Sequence, residues 1–195
     1  MIMDSHTHVF APEIIRQRER YLEQDRWFGL LYADSKVKMA TIEELIAAMD
    51  AAGIDVSVAF GFGWADPGLC RLANDYVWDA VRRYPSRLVG LAVVNPLYGT
   101  EALREAERCA ALGFRGVGEL MPDGQGYALD DERIMGPLLA WLVERKLPLL
   151  VHANEPVGHI YPGKGDMTPE VIYRLALRHP EVKIVCAHWG GGLFF

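Results

Sequence analysis

The sequence has few cysteines and no C-x-x-C motif. Cys70, Cys109 and Cys186 are an odd number and lie far apart. This usage argues against a disulfide framework and is typical of a reducing compartment. The sequence also lacks a basic and apolar leader, and it has no apolar run of the ~18 residues that cross a membrane. We therefore expect a cytoplasmic protein with no membrane contact.

An excess of positive charge is also absent. Lys and Arg number 20 against 26 Asp and Glu, so the formal net charge is −6. Nucleic acids and anionic membranes attract basic surfaces, so neither is an expected partner. Hydrophobic residues make up 51% and charged residues 24%, which excludes disordered and collagen-like classes. The length fits a single domain, which we assign to residues 1–195.

Short apolar runs alternate with helical patterns along the chain. The runs are rich in Val, Ile and Leu, which is typical of strands buried on both faces of a parallel sheet. They cover residues 2–9, 54–60, 88–94, 115–120, 147–152 and 183–188. Helices are predicted between them, from Thr41 to Gly53, Leu69 to Pro85, Thr100 to Gly113, Pro137 to Lys146 and Thr168 to Pro180. The alternation predicts an α/β fold, either a closed (β/α)8 barrel or an open doubly wound sheet.

Two further features refine this prediction. No G-x-G-x-x-G turn follows the first strand, so the dinucleotide-binding form of the open sheet is disfavoured. Residues 10–40 form one long non-repeating stretch that includes Trp27, Phe28 and Tyr32. A stretch of that length is too long for a simple loop, so we predict an insert or lid after the first strand.

Four histidines and a glutamate mark the ends of the predicted strands. His6 and His8 are two residues apart on the first strand, so both face the same side. Glu119, His152 and His188 end the fourth, fifth and sixth predicted strands. The carboxyl ends of barrel strands converge on one mouth, so these groups are expected to form a metal or catalytic site. Glu119 could instead bond a neighbouring arginine or a backbone amide.

Other residues in the loops at the same ends of the strands are candidates for substrate contact. They are Phe62, Trp64, His159 and Trp189, which follow the second, fifth and sixth predicted strands. The aromatic side chains could wall a pocket, and the histidine could contact a substrate directly.

Three segments resemble the strand-end motifs of the amidohydrolase superfamily. They are Met3-Asp4-Ser5-His6-Thr7-His8, Pro148-Leu149-Leu150-Val151-His152 and Lys183-Ile184-Val185-Cys186-Ala187-His188-Trp189-Gly190-Gly191. The third is similar to the His-x-Gly-Gly motif of the amidohydrolase-related (family 2) branch. That branch contains hydrolases and decarboxylases of the aminocarboxymuconate-semialdehyde decarboxylase type.

The resemblance implies a distorted (β/α)8 TIM-type barrel, with about six βα units in this chain, and a divalent metal. Zinc is the usual metal, and manganese, magnesium or iron are alternatives. His6, His8 and His152 match the metal-ligand positions. His188 matches the histidine that deprotonates a water as general base, or that binds a second metal. Gly116-Val117-Gly118-Glu119 resembles the fourth-strand glutamate of TatD-like deoxyribonucleases, which helps to hold two metals.

Three functions remain open at this point. The first is a metal-dependent hydrolase or non-oxidative decarboxylase for a small carboxylate or a cyclic amide or ester. The metal would activate water, and His188 would be the general base. The second is a two-metal phosphodiesterase or deoxyribonuclease in which Glu119 bridges the metals. The third is a non-catalytic binding barrel. The resemblance also implies a homodimer.

The resemblance carries an expectation about the C-terminus. The superfamily takes an aspartate ligand from the eighth strand, whereas this chain ends at Phe195, just after the sixth predicted strand. We therefore predict that the native gene product continues with the remaining strands of the barrel and that aspartate. Leu193, Phe194 and Phe195 would then begin the next loop.

Overall fold

The computed structural model describes residues 1–192, and the prediction for residues 193–195 lies outside the described residues. Six parallel strands follow one another in sequence order and form two three-stranded sheets. The strands are β1 (Met3–His8), β2 (Val56–Phe60), β3 (Leu88–Gly90), β4 (Val117–Leu120), β5 (Leu149–Val151) and β6 (Ile184–Cys186). All six predicted strands are confirmed, with shorter bounds.

Ala92 joins the two sheets into one arc. It forms a parallel bridge to Val117, and its amide donates to the Gly116 carbonyl at 3.0 Å. The Gly118 amide in turn donates to the Ala92 carbonyl at 2.9 Å. A doubly wound sheet reverses its strand order at a switch point, whereas the order from β1 to β6 never reverses. The arc is therefore a section of a parallel α/β barrel, as predicted.

Helices occupy the segments between the strands. They are α1 (Pro12–Arg16), α2 (Arg18–Gln24), α3 (Arg26–Tyr32), α4 (Ile42–Ala52), α5 (Pro67–Arg83), α6 (Thr100–Ala111), α7 (Pro122–Gln125), α8 (Glu132–Arg145), α9 (Pro169–Arg178) and α10 (His188–Gly191). The helices predicted around α4, α5, α6 and α9 are confirmed. Across residues 1–192, none of the helices combines the length and the apolar character needed to span a membrane.

The predicted start of α8 was wrong. The sequence placed Pro137 at the first helical position, but the helix begins at Glu132 and contains the proline. Asp131 provides the cap, because its side chain accepts a hydrogen bond from the Arg133 amide at 3.0 Å. The buried Met135 lies in the part of the helix before the proline, so packing favours the earlier start even though proline lacks an amide hydrogen.

The segment 10–40, predicted as an insert or lid, contains the three short helices α1, α2 and α3. Asp25 ties this segment to the loop after β2. One of its carboxylate oxygens accepts from the Phe28 amide and the other from the Ala65 amide, both at 2.9 Å. The carboxylate is almost completely buried, and these amide donors satisfy it.

Strands β4 and β5 lie at the centre of the core. Every residue of both strands is buried, which agrees with the prediction of strands covered on both faces. Leu120 and Val151 pack in one apolar cluster with side chains of α8 such as Leu139. The carboxyl ends of these strands are therefore held by rigid packing.

Candidate metal centre

The strand ends bring the four predicted histidines and the glutamate together. The ring centroids of His6 and His8 are 5.1 Å apart, and those of His6 and His188 are 5.2 Å apart. The His152 and His188 rings are 4.5 Å apart. Glu119 lies among these rings, although the residues span most of the sequence. This convergence is the arrangement that the strand pattern predicts.

Glu119 is the common partner of all four histidines. Its Oε2 lies 2.9 Å from His8 Nε2 and 3.5 Å from His6 Nε2. Its Oε1 lies 3.0 Å from His152 Nδ1 and 3.9 Å from His188 Nε2. Each carboxylate oxygen thus faces its own pair of imidazoles. The side chain contacts histidines instead of the arginine or backbone amide that the sequence also allowed.

The site holds a negative charge in the interior of the protein. Glu119 is fully buried. Burial opposes its ionisation, but hydrogen bonds with His152 and His8 hold its pKa well below the usual range. A buried carboxylate without such compensation would be costly. The centre is therefore suited to bind positive charge.

Two of the histidines have altered pKa values with different causes. Burial lowers the pKa of His6 to about 4, against the opposing effect of Glu119. Burial also opposes protonation of His152, but its hydrogen bond to Glu119 outweighs this and raises its pKa. His6 is thus neutral near pH 7 and has a lone pair available for a metal. At His152, a metal must compete with a proton for the ring nitrogen.

Backbone carbonyls orient two of the rings. His8 Nδ1 lies 3.2 Å from the Gly61 carbonyl, and His188 Nδ1 lies 3.1 Å from the Ala153 carbonyl. A carbonyl only accepts, so each Nδ1 carries the hydrogen, and each Nε2 faces the centre. His6 Nδ1 is buried and makes no hydrogen bond within residues 1–192.

The donor set fits a divalent metal. The donor atoms of His6, His8 and Glu119 lie within 4.8 Å of one another, and so do those of Glu119, His152 and His188. Imidazole and carboxylate are the donors that zinc, manganese and iron share. Asp4 is not part of either group, and its Oδ1 accepts from the His6 backbone amide at 3.1 Å.

Two cavities adjoin the centre. A cavity of about 280 Å³ borders His152 and His188 and is also lined by Leu31, Asn154 and Tyr161. A second one, of about 540 Å³, lies between β1 and β6. Its lining includes His6, His188 and Trp189. The smaller cavity therefore gives a small molecule access to the centre.

Two of the four predicted substrate contacts are exposed and two are buried. Trp189 is 81% exposed and lines the larger cavity. His159 is exposed in the loop after β5, where its ring lies 5.8 Å from that of Tyr161. Phe62 and Trp64, however, are buried in an aromatic cluster with Phe28 of α3, at centroid distances of 5.4 and 4.7 Å. They pack against α3 of the 10–40 segment and therefore do not form an exposed pocket wall.

The sequence reasoning missed Asn154, Tyr161 and Leu31 as cavity residues. Asn154 was recognisable in principle, because it is a polar residue two positions after a strand-end histidine. Leu31 belongs to the distant α3, and no local pattern indicates that it reaches Gly163 in the loop after β5.

The fold agrees with comparisons to known proteins. The family model described as amidohydrolase matches residues 3–193. Among solved structures, 5-carboxyvanillate decarboxylase from Novosphingobium aromaticivorans, complexed with manganese and 4-hydroxy-3-methoxy-5-nitrobenzoic acid, is 26% identical with a TM-score of 0.80. The match covers 99% of this chain and 66% of that one.

Two further structures share the fold. The 2,6-dihydroxybenzoate decarboxylase from Rhizobium is 21% identical with a TM-score of 0.67, over 98% of this chain and 67% of that one. The 4-oxalomesaconate hydratase from Rhodopseudomonas palustris is 19% identical with a TM-score of 0.65, over 98% and 64%. The chain thus spans about two thirds of the length of these proteins, and its arc of strands is part of a TIM-type barrel. With a family match over nearly all of its residues, the chain belongs to the amidohydrolase family.

Proposed function

We propose that this chain carries the metal and substrate centre of a metal-dependent enzyme acting on small carboxylates, with non-oxidative decarboxylation as the reaction. The observation that supports this most is the buried Glu119 surrounded by four histidines at the carboxyl ends of the strands. Two of the similar structures are decarboxylases of aromatic acids, and this similarity favours decarboxylation over hydrolysis. Hydrolysis of a cyclic amide or ester uses the same groups and is the alternative within this proposal.

His6, His8 and His152 are the proposed metal ligands, and Glu119 adds a carboxylate oxygen. A divalent metal at this position supplies Lewis-acid charge that binds a carboxylate and offsets negative charge that develops in the reaction. We propose zinc because imidazole donors predominate. Manganese is the alternative, and the manganese in one similar structure supports it.

His188 is the proposed proton-transfer residue. Its Nδ1 hydrogen is held by the Ala153 carbonyl, so Nε2 is the atom that gives or takes a proton at the centre. In decarboxylation the bond to the carboxylate breaks and CO2 leaves. The electron pair stays on the carbon that held the carboxylate. A His188 that is protonated on both nitrogens adds its Nε2 proton there and becomes neutral. In hydrolysis the same atom would take a proton from the attacking water.

We propose a small-molecule substrate and no nucleic-acid partner, supported by the net charge of −6. Trp189 and His159 remain the proposed contacts of that substrate outside the centre. A cytoplasmic location is supported by the unpaired cysteines, and a homodimer by the resemblance to the family.

A second candidate is a two-metal phosphodiesterase. It is favoured by one observation, namely that Glu119 Oε2 faces His6 and His8 while Oε1 faces His152 and His188. A carboxylate placed in this way can bridge two metal ions. The single-metal enzyme and the two-metal enzyme differ in stoichiometry, so the two candidates are distinguishable.

His152→Ala should lower metal affinity by more than about tenfold, because one of the proposed protein ligands is removed. Elemental analysis after dialysis against a weak chelator measures this loss. His159→Ala is the matched control, since that histidine lies outside the centre and its loss should leave metal content unchanged. Retention of stoichiometric metal by His152→Ala would contradict the ligand assignment.

Metal affinity should depend on pH through His152. Its raised pKa means that a proton must leave before the metal binds, so affinity should fall about tenfold per pH unit below that pKa. His6, with a pKa of about 4, and the ionised Glu119 should contribute little above pH ~5. Zinc titrations between about pH 5 and 8 test this. A flat profile would show that His152 is not a ligand.

The products of turnover test the reaction class. The metal-loaded chain should release CO2 from a hydroxylated aromatic acid such as 2,6-dihydroxybenzoate or 5-carboxyvanillate. His188→Asn should retain metal and lose CO2 release, because its side chain cannot transfer the proton. Ring opening or amine release from a cyclic substrate, without CO2, would favour hydrolysis. Loss of metal from His188→Asn would instead make His188 a ligand.

Metal stoichiometry decides between the two candidates. If Glu119 bridges two ions, the unchanged chain should bind two metals, and Glu119→Ala should lose at least one of them. Glu170→Ala, which removes an exposed carboxylate on α9, is the control and should change nothing. One metal per unchanged chain would reject the two-metal candidate and leave the single-metal proposal standing.

A further inference from the structure

Asn154 is a buried polar residue beside the centre that the mechanism has not yet used. It is only 4% exposed and lies in the loop after β5. Its backbone amide donates to the Met167 carbonyl at 2.7 Å. On the other side, a Cβ at Gly191 would lie 2.5 Å from the Asn154 carbonyl oxygen. The backbone is therefore held from two directions, and the side chain has a defined position.

The side chain of Asn154 contacts the outer nitrogen of His152. Asn154 Oδ1 lies 3.2 Å from His152 Nε2, while Nδ1 of the same ring lies 3.0 Å from Glu119 Oε1. Because the ionised Glu119 only accepts, Nδ1 carries a hydrogen toward it in the metal-free protein. If the amide oxygen faces Nε2, that nitrogen keeps its own hydrogen, and Nδ1 is the nitrogen that can give up its hydrogen to a metal. The opposite amide orientation would place the hydrogen on Nδ1 and block it. Metal binding therefore requires the orientation in which Oδ1 accepts.

This orientation leaves the amide nitrogen without a partner. Asn154 Nδ2 is buried and makes no hydrogen bond to any group in the described part of the chain. Asn154 lines the cavity of about 280 Å³ that also borders His152 and His188. A buried donor without an acceptor is unfavourable, so a ligand in the cavity is expected to supply one.

We propose that Asn154 has two linked functions. Its Oδ1 is a positioning group that keeps a hydrogen on His152 Nε2, so that Nδ1 is the nitrogen that binds the metal. Its Nδ2 is a specificity group that donates to an acceptor oxygen of a small organic acid held at the centre. The proposal rests on the proposed function, since it places that acid beside the metal. It adds the residue that couples metal binding to substrate recognition.

Two substitutions separate these functions. Asn154→Asp keeps an acceptor oxygen for His152 Nε2, whereas Asn154→Leu has a similar volume and no polar atom. Zinc titration should give Asn154→Asp an affinity at least equal to that of the unchanged chain. Asn154→Leu should bind zinc about 10- to 100-fold more weakly, as expected when an outer contact of a ligand is lost. Equal zinc affinity in Asn154→Leu and the unchanged chain would overturn the positioning function.

Substrate recognition is tested at saturating zinc with 4-hydroxy-3-methoxy-5-nitrobenzoate as the probe. The side-chain amide resonances of Asn154 should shift when the probe binds. Asn154→Leu should weaken probe binding by about tenfold, the value of one hydrogen bond to a charged acceptor. Glu155→Gln, in the same loop, should bind the probe at least as well as the unchanged chain. Unmoved amide resonances, or equal probe affinity in Asn154→Leu, would overturn the specificity function.

Discussion

The site depends on one buried carboxylate. Glu119 is ionised inside the protein because its two oxygens are surrounded by imidazole nitrogens from β1, the end of β5 and the turn after β6. A charge in that position costs free energy unless positive charge or hydrogen bonds compensate it. The packing of β4 and β5 holds the carboxylate in place, so the histidines converge on it. A metal ion, bound as we propose, would complete this balance and leave the ligand nitrogens neutral.

The loops contribute as much as the strands. The Gly61 and Ala153 carbonyls and the Asn154 amide each contact the outer nitrogen of one imidazole. Each contact selects which ring nitrogen faces the centre, so the rings are prepared for a metal before it binds. The loop after β5 provides two of these contacts. It therefore connects His152 and His188 to the cavity where a substrate would bind.

Much of this arrangement could be predicted from the sequence. The two-residue spacing of His6 and His8 and the strand-end positions of His152 and His188 follow from the pattern of apolar runs, because parallel strands end at one edge. Contacts between distant segments could not be predicted in this way. No local pattern indicates that α3 covers Phe62 and Trp64. The sequence also could not show that each carboxylate oxygen of Glu119 would face its own pair of imidazoles. The start of α8 was misplaced because the local preference of a proline was weaker than tertiary packing.

X-ray absorption spectroscopy of the zinc-loaded chain tests the central claim, that the histidines around Glu119 form a metal centre, most directly. We expect nitrogen and oxygen donors at about 2.0–2.1 Å, with outer-shell scattering from three imidazole rings. His6, His8 and His152 account for those rings. A spectrum with oxygen donors alone, and without imidazole scattering, would contradict the account.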